Sequence, residues 1–275
     1  MSSSRVIRSR DNPAFKRLVK LIDSGRHRRE TGRIVLEGMR LLRALLARGG
    51  LPDLVAVAES EAQAPELAAC LQAVPADRIL LLSDALCARL SDLATPPGVL
   101  AVAAPPPPRL RRTPPGFLLL LEDLQDPGNV GSILRTAAAA GVDLVLLSPG
   151  CADPWSPKVL RSAMGAHFLL PLRERADLLE AARGFAGQVI ATSAHACVCL
   201  FDLDLTGPTA FILGNEGVGV TQRLQEAAHA VVRLPMPGGM ESLNAAAAAA
   251  VCLYERVRQL QAAGRDGHTV NRCGE

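Results

Sequence analysis

From residue 117 onward the chain repeats one pattern, a short and largely apolar run followed by a stretch with helical spacing. The runs are Phe117–Leu121, Val142–Leu147, Leu169–Leu172, Val189–Thr192, Ala210–Leu213 and Val231–Leu234. A strand buried on both faces reads as a continuous apolar run, whereas a half-exposed strand alternates. Apolar strands alternating with helices therefore predict an α/β fold with a parallel sheet covered on both sides. The first helix carries Val130, Ile133, Leu134 and Ala137 on one face and ends at Gly141. Ser156-Pro157 starts another, with proline in its first turn. The last is predicted from about Leu243 to Gln261, with Leu243, Ala247, Ala250, Val251, Tyr254 and Val257 on one face and Tyr254 in the core.

A second boundary lies upstream. Residues 105–115 read PPPPRLRRTPP, and prolines at this density favour a stiff, extended spacer. Before it come helix-spaced residues over Asn12–Leu21, a strand at Ile34–Leu36, a helix over Glu37–Ala47, and strands at Leu54–Ala58, Ile79–Leu82 and Val99–Ala103. Further helices are expected at Ala64–Gln72 and Ser83–Leu90. That is a small α/β domain. The expected organisation is a domain over 1–104, a linker over 105–115, a second domain over 116–263 and a tail over 264–275. No internal repeat is visible.

The 275 residues are 49% hydrophobic and 21% charged, which suits two globular cores. The net charge of +3 conceals an asymmetry: residues 1–48 hold 13 Lys/Arg against 4 Asp/Glu. A basic end of this kind suits a phosphate backbone. With one Trp, one Tyr and six Phe, stacking of RNA bases on an aromatic platform is not expected. Of seven cysteines none forms a CxxC pair, and Cys197-x-Cys199 lacks a second pair at zinc spacing, so no metal site is expected. The cysteines sit mostly in apolar runs and read as reduced thiols of a cytoplasmic protein. Neither a signal peptide nor a membrane span is predicted.

Three segments concentrate glycine and polar residues. Asp126 to Ala137 reads DPGNVGSILRTA, with Asn129 and Arg135 as polar members of a small, apolar stretch. Arg135 suits a phosphate, or else a neighbouring carboxylate; Asn129 suits a ligand, or else a helix cap. Gly214, Glu216, Gly217 and Gly219 follow a strand, where parallel sheets commonly bind ligands. Leu234 to Asn244 reads LPMPGGMESLN, a flexible loop running into a helix start. No G-x-G-x-x-G opens a helix here, which argues against a nicotinamide enzyme. Lys158 and Arg161, in a further polar stretch, suit RNA contact or a solvated helix face. His195, at a strand end, reads as exposed and not catalytic.

In order and spacing, the three segments resemble the signature motifs of the SpoU (TrmH-like) RNA 2′-O-ribose methyltransferases. Residues 9–13 and 34–38 resemble the ribosomal-protein-like RNA-binding domain that many members carry. The resemblance implies a deep trefoil knot in the C-terminal domain, S-adenosylmethionine as cofactor, an RNA substrate, ribosomal RNA ahead of tRNA, and a homodimer with sites near the subunit interface. Carried over by position, Gly214, Leu234, Met236 and Leu243 belong to the methyl-donor site, with Thr192 placed beside them. Asn129, Arg135, Glu216, Ser242 and Asn244 match the polar active-site positions. The alternatives are a base-methylating relative and a non-catalytic RNA-binding or ribosome-assembly factor; all three motifs retain their polar residues, which argues against the latter.

Overall fold

The computed structural model describes residues 6–107 and 114–264. In chain order these form α1 (Pro13–Asp23), α2 (Gly25–Thr31), β1 (Ile34–Glu37), α3 (Met39–Ala47), β2 (Leu54–Ala58), α4 (Pro65–Leu71), β3 (Ile79–Leu82), α5 (Asp84–Ala88) and β4 (Val99–Ala103). There follow β5 (Phe117–Leu121), α6 (Pro127–Ala140), β6 (Leu144–Leu147), α7 (Pro157–Ala163), β7 (Leu172–Arg173), α8 (Leu178–Arg183) and β8 (Gln188–Thr192). The chain continues through β9 (Val198–Cys199), β10 (Thr209–Leu213), α9 (Gln222–Ala227), β11 (Ala230–Arg233) and α10 (Ala245–Ala262). Residues 108–113 of the expected linker and the tail from 265 on lie outside the described residues. The described residues form two compact units: 6–107 with 152–169, and 114–151 with 170–264.

The first unit is built on a four-stranded sheet in the order β1-β4-β2-β3. β4 runs antiparallel to β1 and β2, while β2 and β3 are parallel. Successive side chains of a strand point to opposite faces. Accordingly Ile34 and Leu36 enter one core with Leu42, Val55 and Val57, and Val35 enters the other with Phe15, Leu18 and Ala56. α1 starts where Asn12 caps it and Pro13 supplies a preset φ, and it buries Phe15, Leu18 and Leu21. The helix expected from Glu37 begins instead at Met39. Glu37 extends β1, and Gly38 at φ 94° turns the chain into α3.

The second unit is a seven-stranded sheet in the order β7-β6-β5-β10-β8-β11-β9, parallel at every pairing. β10, late in sequence, lies between β5 and β8, with Phe211 in register with Leu119 on one side and Ile190 on the other. All five residues of β5 and of β10 are buried, as the apolar runs predicted. The helix expected from Leu243 starts at Ala245, and its buried side is Ala249, Cys252, Leu253 and Arg256. Tyr254, expected in the core, is 48% exposed. An alanine-rich helix carries no apolar stripe, so its contact face is set by close approach to α6. Arg256 belongs to that buried side because its guanidinium lies 4.2 Å from the Phe117 ring centroid and its Nη2 donates to the Gly207 carbonyl.

One buried polar side chain gives the first unit a pH signature. His167 bonds through Nε2 to the Pro154 carbonyl at 2.8 Å, so Nε2 carries the proton. Among the described residues its buried Nδ1 has no hydrogen-bond partner, and its ring packs against Trp155. Burial pushes its pKa down to about 4. An unfolded chain takes up this proton below roughly pH 6.5, the folded chain only near 4. Folding is therefore disfavoured progressively as pH falls through that window, by up to about 3 kcal/mol, and is untouched above it. Thermal unfolding of His167→Phe should depend less on pH between 6.5 and 4 than that of the wild type; identical profiles would refute this assignment.

Candidate active site

Three neighbouring strands, β10, β8 and β11, point their carboxyl ends in one direction, and two of the glycine-rich segments are the loops that leave β10 and β11. β5 ends alongside, so the loop into α6 joins the same cluster. This is where open parallel sheets offer a crevice.

The loop after β10 is closed tightly. A Cβ on Gly214 would lie 2.1 Å from the Gly219 carbonyl carbon, so only glycine permits this approach. Asn215 Oδ1 accepts from the N–H groups of Gly217 and Val218 at 2.8 and 3.2 Å, and its Nδ2 donates to the Asp123 carbonyl at 2.8 Å. Glu122 ties the far end by accepting from the Thr221 N–H and hydroxyl. Asp123 itself sits at φ 51°, a conformation held by exchanged hydrogen bonds with Ser148. Glu122, Asp123, Asn215, Ser148 and Thr221 escaped the sequence reading. Their only signal is position directly after a strand or within a glycine-rich loop.

Across these loops runs a chain of hydrogen bonds. Asn244 Nδ2 donates to Asn129 Oδ1 at 2.9 Å, and Asn129 Nδ2 donates to Glu216 Oε1 at 3.1 Å. The Asn129 amide is thereby fixed at both ends, which settles which atom is oxygen and which is nitrogen. Partial burial pushes the Glu216 carboxyl up. The Asn129 amide and the backbone N–H groups of Glu216, Gln125 and Asp126 outweigh it and hold the group below the usual glutamate range. Glu216 is thus an anionic acceptor at neutral pH.

Two of these residues sit at helix starts. Asn244 caps α10 by accepting from the Ala246 and Ala247 N–H groups. The cap of α6 is Asp126, which accepts from the Asn129 N–H at 2.7 Å, with Pro127 in the first turn. Asn129 is therefore not the cap, and its side chain is left for other partners. An acid directly before proline at a helix start was the readable signal for Asp126.

The remaining candidates occupy the same end of the sheet or its flanks. Thr192 ends β8 and spends its hydroxyl on the Ile212 carbonyl at 3.2 Å. Leu234 and Met236 are half-buried just past β11; Ser242 and Leu243 are exposed before α10. Gly239, at φ 78°, donates its N–H to the Met236 carbonyl and turns this loop. Arg135 is exposed on α6 and makes no hydrogen bond or ion pair among the described residues. Six residues along a helix places it roughly 120° around from Asn129, so one chain does not bring the two together. Lys158 and His195 are exposed, whereas Arg161 is taken up by Glu37 and Asp92 in the first unit. Among the described residues no group of three or more His, Cys, Asp or Glu side chains could hold a metal ion, and no helix is long and apolar enough to cross a membrane.

Residues 116–254 match the SpoU rRNA methylase family, and residues 12–101 match the MRM3-like substrate binding domain. An uncharacterized tRNA/rRNA methyltransferase of Synechocystis is 39% identical over 95% of this chain and 96% of its own length. The 23S rRNA (guanosine(2553)-2′-O)-methyltransferase RlmP of Bacillus subtilis is 31% identical over 86% of this chain and 92% of its own. Among solved structures, the SpoU methyltransferase AviRb of Streptomyces viridochromogenes in complex with AdoMet has a TM-score of 0.80 at 30% identity, covering 90% of this chain and 98% of that one. The glycine-rich loops and the amide–carboxylate chain are thus found in a chain that belongs to the SpoU rRNA methylase family.

Proposed function

We propose that this chain is an S-adenosylmethionine-dependent methyltransferase that acts on a ribose 2′-hydroxyl of ribosomal RNA. The observation that carries the reading is the Asn244–Asn129–Glu216 chain, set at the carboxyl ends of the parallel strands in a member of the SpoU family. The chemistry of the relatives agrees: one is named for 2′-O methylation of 23S rRNA, and another was solved with the cofactor.

The residues present fit S-adenosylmethionine. Gly214 lets backbone crowd to within a distance no side chain would allow, and Gly238 and Gly239 have open space where a Cβ would point. Leu234, Met236 and Leu243, with Thr192, would hold it among these loops. When bound, the cofactor supplies an electrophilic methyl group on a sulfonium. The protein's share is to align the hydroxyl and manage its proton, and alignment alone is worth as much as about 7–11 kcal/mol. Asn129, fixed at both ends, retains one amide hydrogen and one carbonyl lone pair for the ribose. Glu216 keeps that amide oriented and supplies no proton at neutral pH. Arg135 acts electrostatically: its guanidinium grips the RNA phosphate and favours the developing alkoxide. Ser242 lines the approach before α10.

We assign a homodimer as the working form. The position of Arg135, turned away from Asn129 on α6, supports a site completed by a second copy. The insertion of β10 between β5 and β8 supports the knotted topology. The free thiols among the described residues suit a reducing cytoplasm. We assign residues 1–104 to RNA binding and 116–263 to transfer.

Three substitutions test the reading. Gly214→Ala should weaken S-adenosylmethionine binding by calorimetry more than about tenfold, because the added carbon meets backbone that cannot yield; unchanged affinity would place the cofactor elsewhere. Arg135→Ala should lower methyl transfer to 23S rRNA by about a hundredfold or more with cofactor affinity kept. Mixing Arg135→Ala with Asn129→Ala subunits should restore part of the activity; an active Arg135→Ala enzyme would end that assignment.

A further inference from the structure

The connection between β6 and β7 joins neighbouring parallel strands of the large sheet. Such a crossover ordinarily packs back onto its own sheet. Here residues 152–169 belong instead to the compact unit of the substrate-binding domain, although they fall inside the segment that matches the methylase family. The chain therefore passes between the two units three times, and the proline-rich linker is only one of the joints.

The crossover is built into the first unit. Leu160 is fully buried in the core of Ile34, Leu36, Leu42, Val55 and Val57, and Trp155 and Phe168 pack against that core. Two ion pairs hold the polar side. Arg28, 5% exposed, binds Asp153 Oδ2 through Nη2 at 2.5 Å and Nε at 3.1 Å, and spends Nη1 on the Leu21 and Ile22 carbonyls. A Cβ on Gly25 would lie 2.6 Å from that same Asp153 oxygen, so the glycine makes room for the pair. Arg161 bridges Glu37, whose side chain is 1% exposed, and Asp92, while Ser91 donates to Glu37 as well. Buried pairs contribute little net stability but fix geometry, since removing one partner strands a charge. Arg161 directs Nη1 to Glu37 and Nη2 to Asp92.

At its root the crossover adjoins the catalytic loops. The Cys151 N–H donates to the Ser148 carbonyl, Ser148 Oγ donates to Asp123, and the Asp123 carbonyl accepts from Asn215, the residue before Glu216.

We infer that Arg161 and Asp153 are positioning residues for RNA methylation: they lock into the substrate-binding unit a crossover whose two ends run directly into β6 and β7 of the sheet that carries the transfer site. The inference rests on the proposed function. It differs from a phosphate contact by Arg161 and from a purely structural role in what each would move.

The experiment uses full-length protein and in vitro-transcribed 23S rRNA. It measures kcat, S-adenosylmethionine affinity, thermal unfolding, and RNA affinity against salt for Arg161→Met, Arg161→Lys, Asp153→Asn and Asp92→Asn. The expected result for Arg161→Met is a fall in kcat of about ten- to hundredfold, with cofactor affinity and the salt slope of RNA binding unchanged. Arg161→Lys, which keeps the charge opposite Glu37, should recover part of that loss. Loss of a phosphate contact would instead reduce the salt slope by about one and spare kcat at saturating RNA, and that result overturns the inference. So does a lowered unfolding temperature with kcat intact. If Arg161→Met does not fold, the milder Asp153→Asn and Asp92→Asn decide: a lower kcat at constant salt slope in either supports the inference, and unchanged kcat in both overturns it. A wild-type chain that binds S-adenosylmethionine yet transfers no methyl overturns the functional reading and this inference together, whereas an active wild type with fully active variants overturns this inference alone.

Discussion

The placement of β10 between β5 and β8 is the constraint on which the rest of the catalytic unit depends. Because every pairing in that sheet is parallel, all strand ends of one polarity face the same way. Inserting a late strand beside an early one then brings the loop after β10 against the loop after β5. Both strands are fully buried, so their register is set by packing on two faces and a slip would unmatch both. The loops inherit that precision. Gly214 meets Gly219, Asn215 reaches the Asp123 carbonyl and Glu122 holds Thr221 because two adjacent strands end at fixed heights.

The same atoms serve architecture and chemistry. Asn244 caps α10 with its oxygen and orients Asn129 with its nitrogen. Asp126 caps α6 and so relieves Asn129 of that duty. Glu216 accepts from the entry to α6 and from Asn129. The backbone N–H groups at the entry to α6 and the Asn129 amide hold the Glu216 carboxyl below the usual glutamate range. A polar chain in which each member is hydrogen-bonded suits the alignment of a weak nucleophile.

Much of this was legible in the sequence, for reasons that can be stated. Wholly apolar runs such as Phe117–Leu121 have no solvated face, so they revealed central strands directly. The glycines from 214 to 219 marked a ligand loop after a strand, and the 234–244 segment marked a loop running into a helix start. The contact face of α10 was not legible, since six consecutive alanines define no direction and Tyr254 was placed inside when it lies outside. Nor was the β6–β7 crossover: a linear reading divides domains at proline runs, whereas Leu160 is drawn into the first unit by its hydrophobic core and Arg161 by a buried Glu37 that lies 124 residues earlier. Arg161 read as an RNA contact or a solvated helix face because its partner carboxylates are invisible until the chain is folded.

The central claim is that these loops aim an activated methyl group at a sugar oxygen. Its most direct measurement is mass spectrometry of the nucleosides released from 23S rRNA after incubation with the protein and S-adenosylmethionine carrying a deuterated methyl. The account predicts that the label resides on ribose, in a single nucleoside that resists alkaline cleavage on its 3′ side. Label on a nucleobase, with ribose unlabelled, would contradict it.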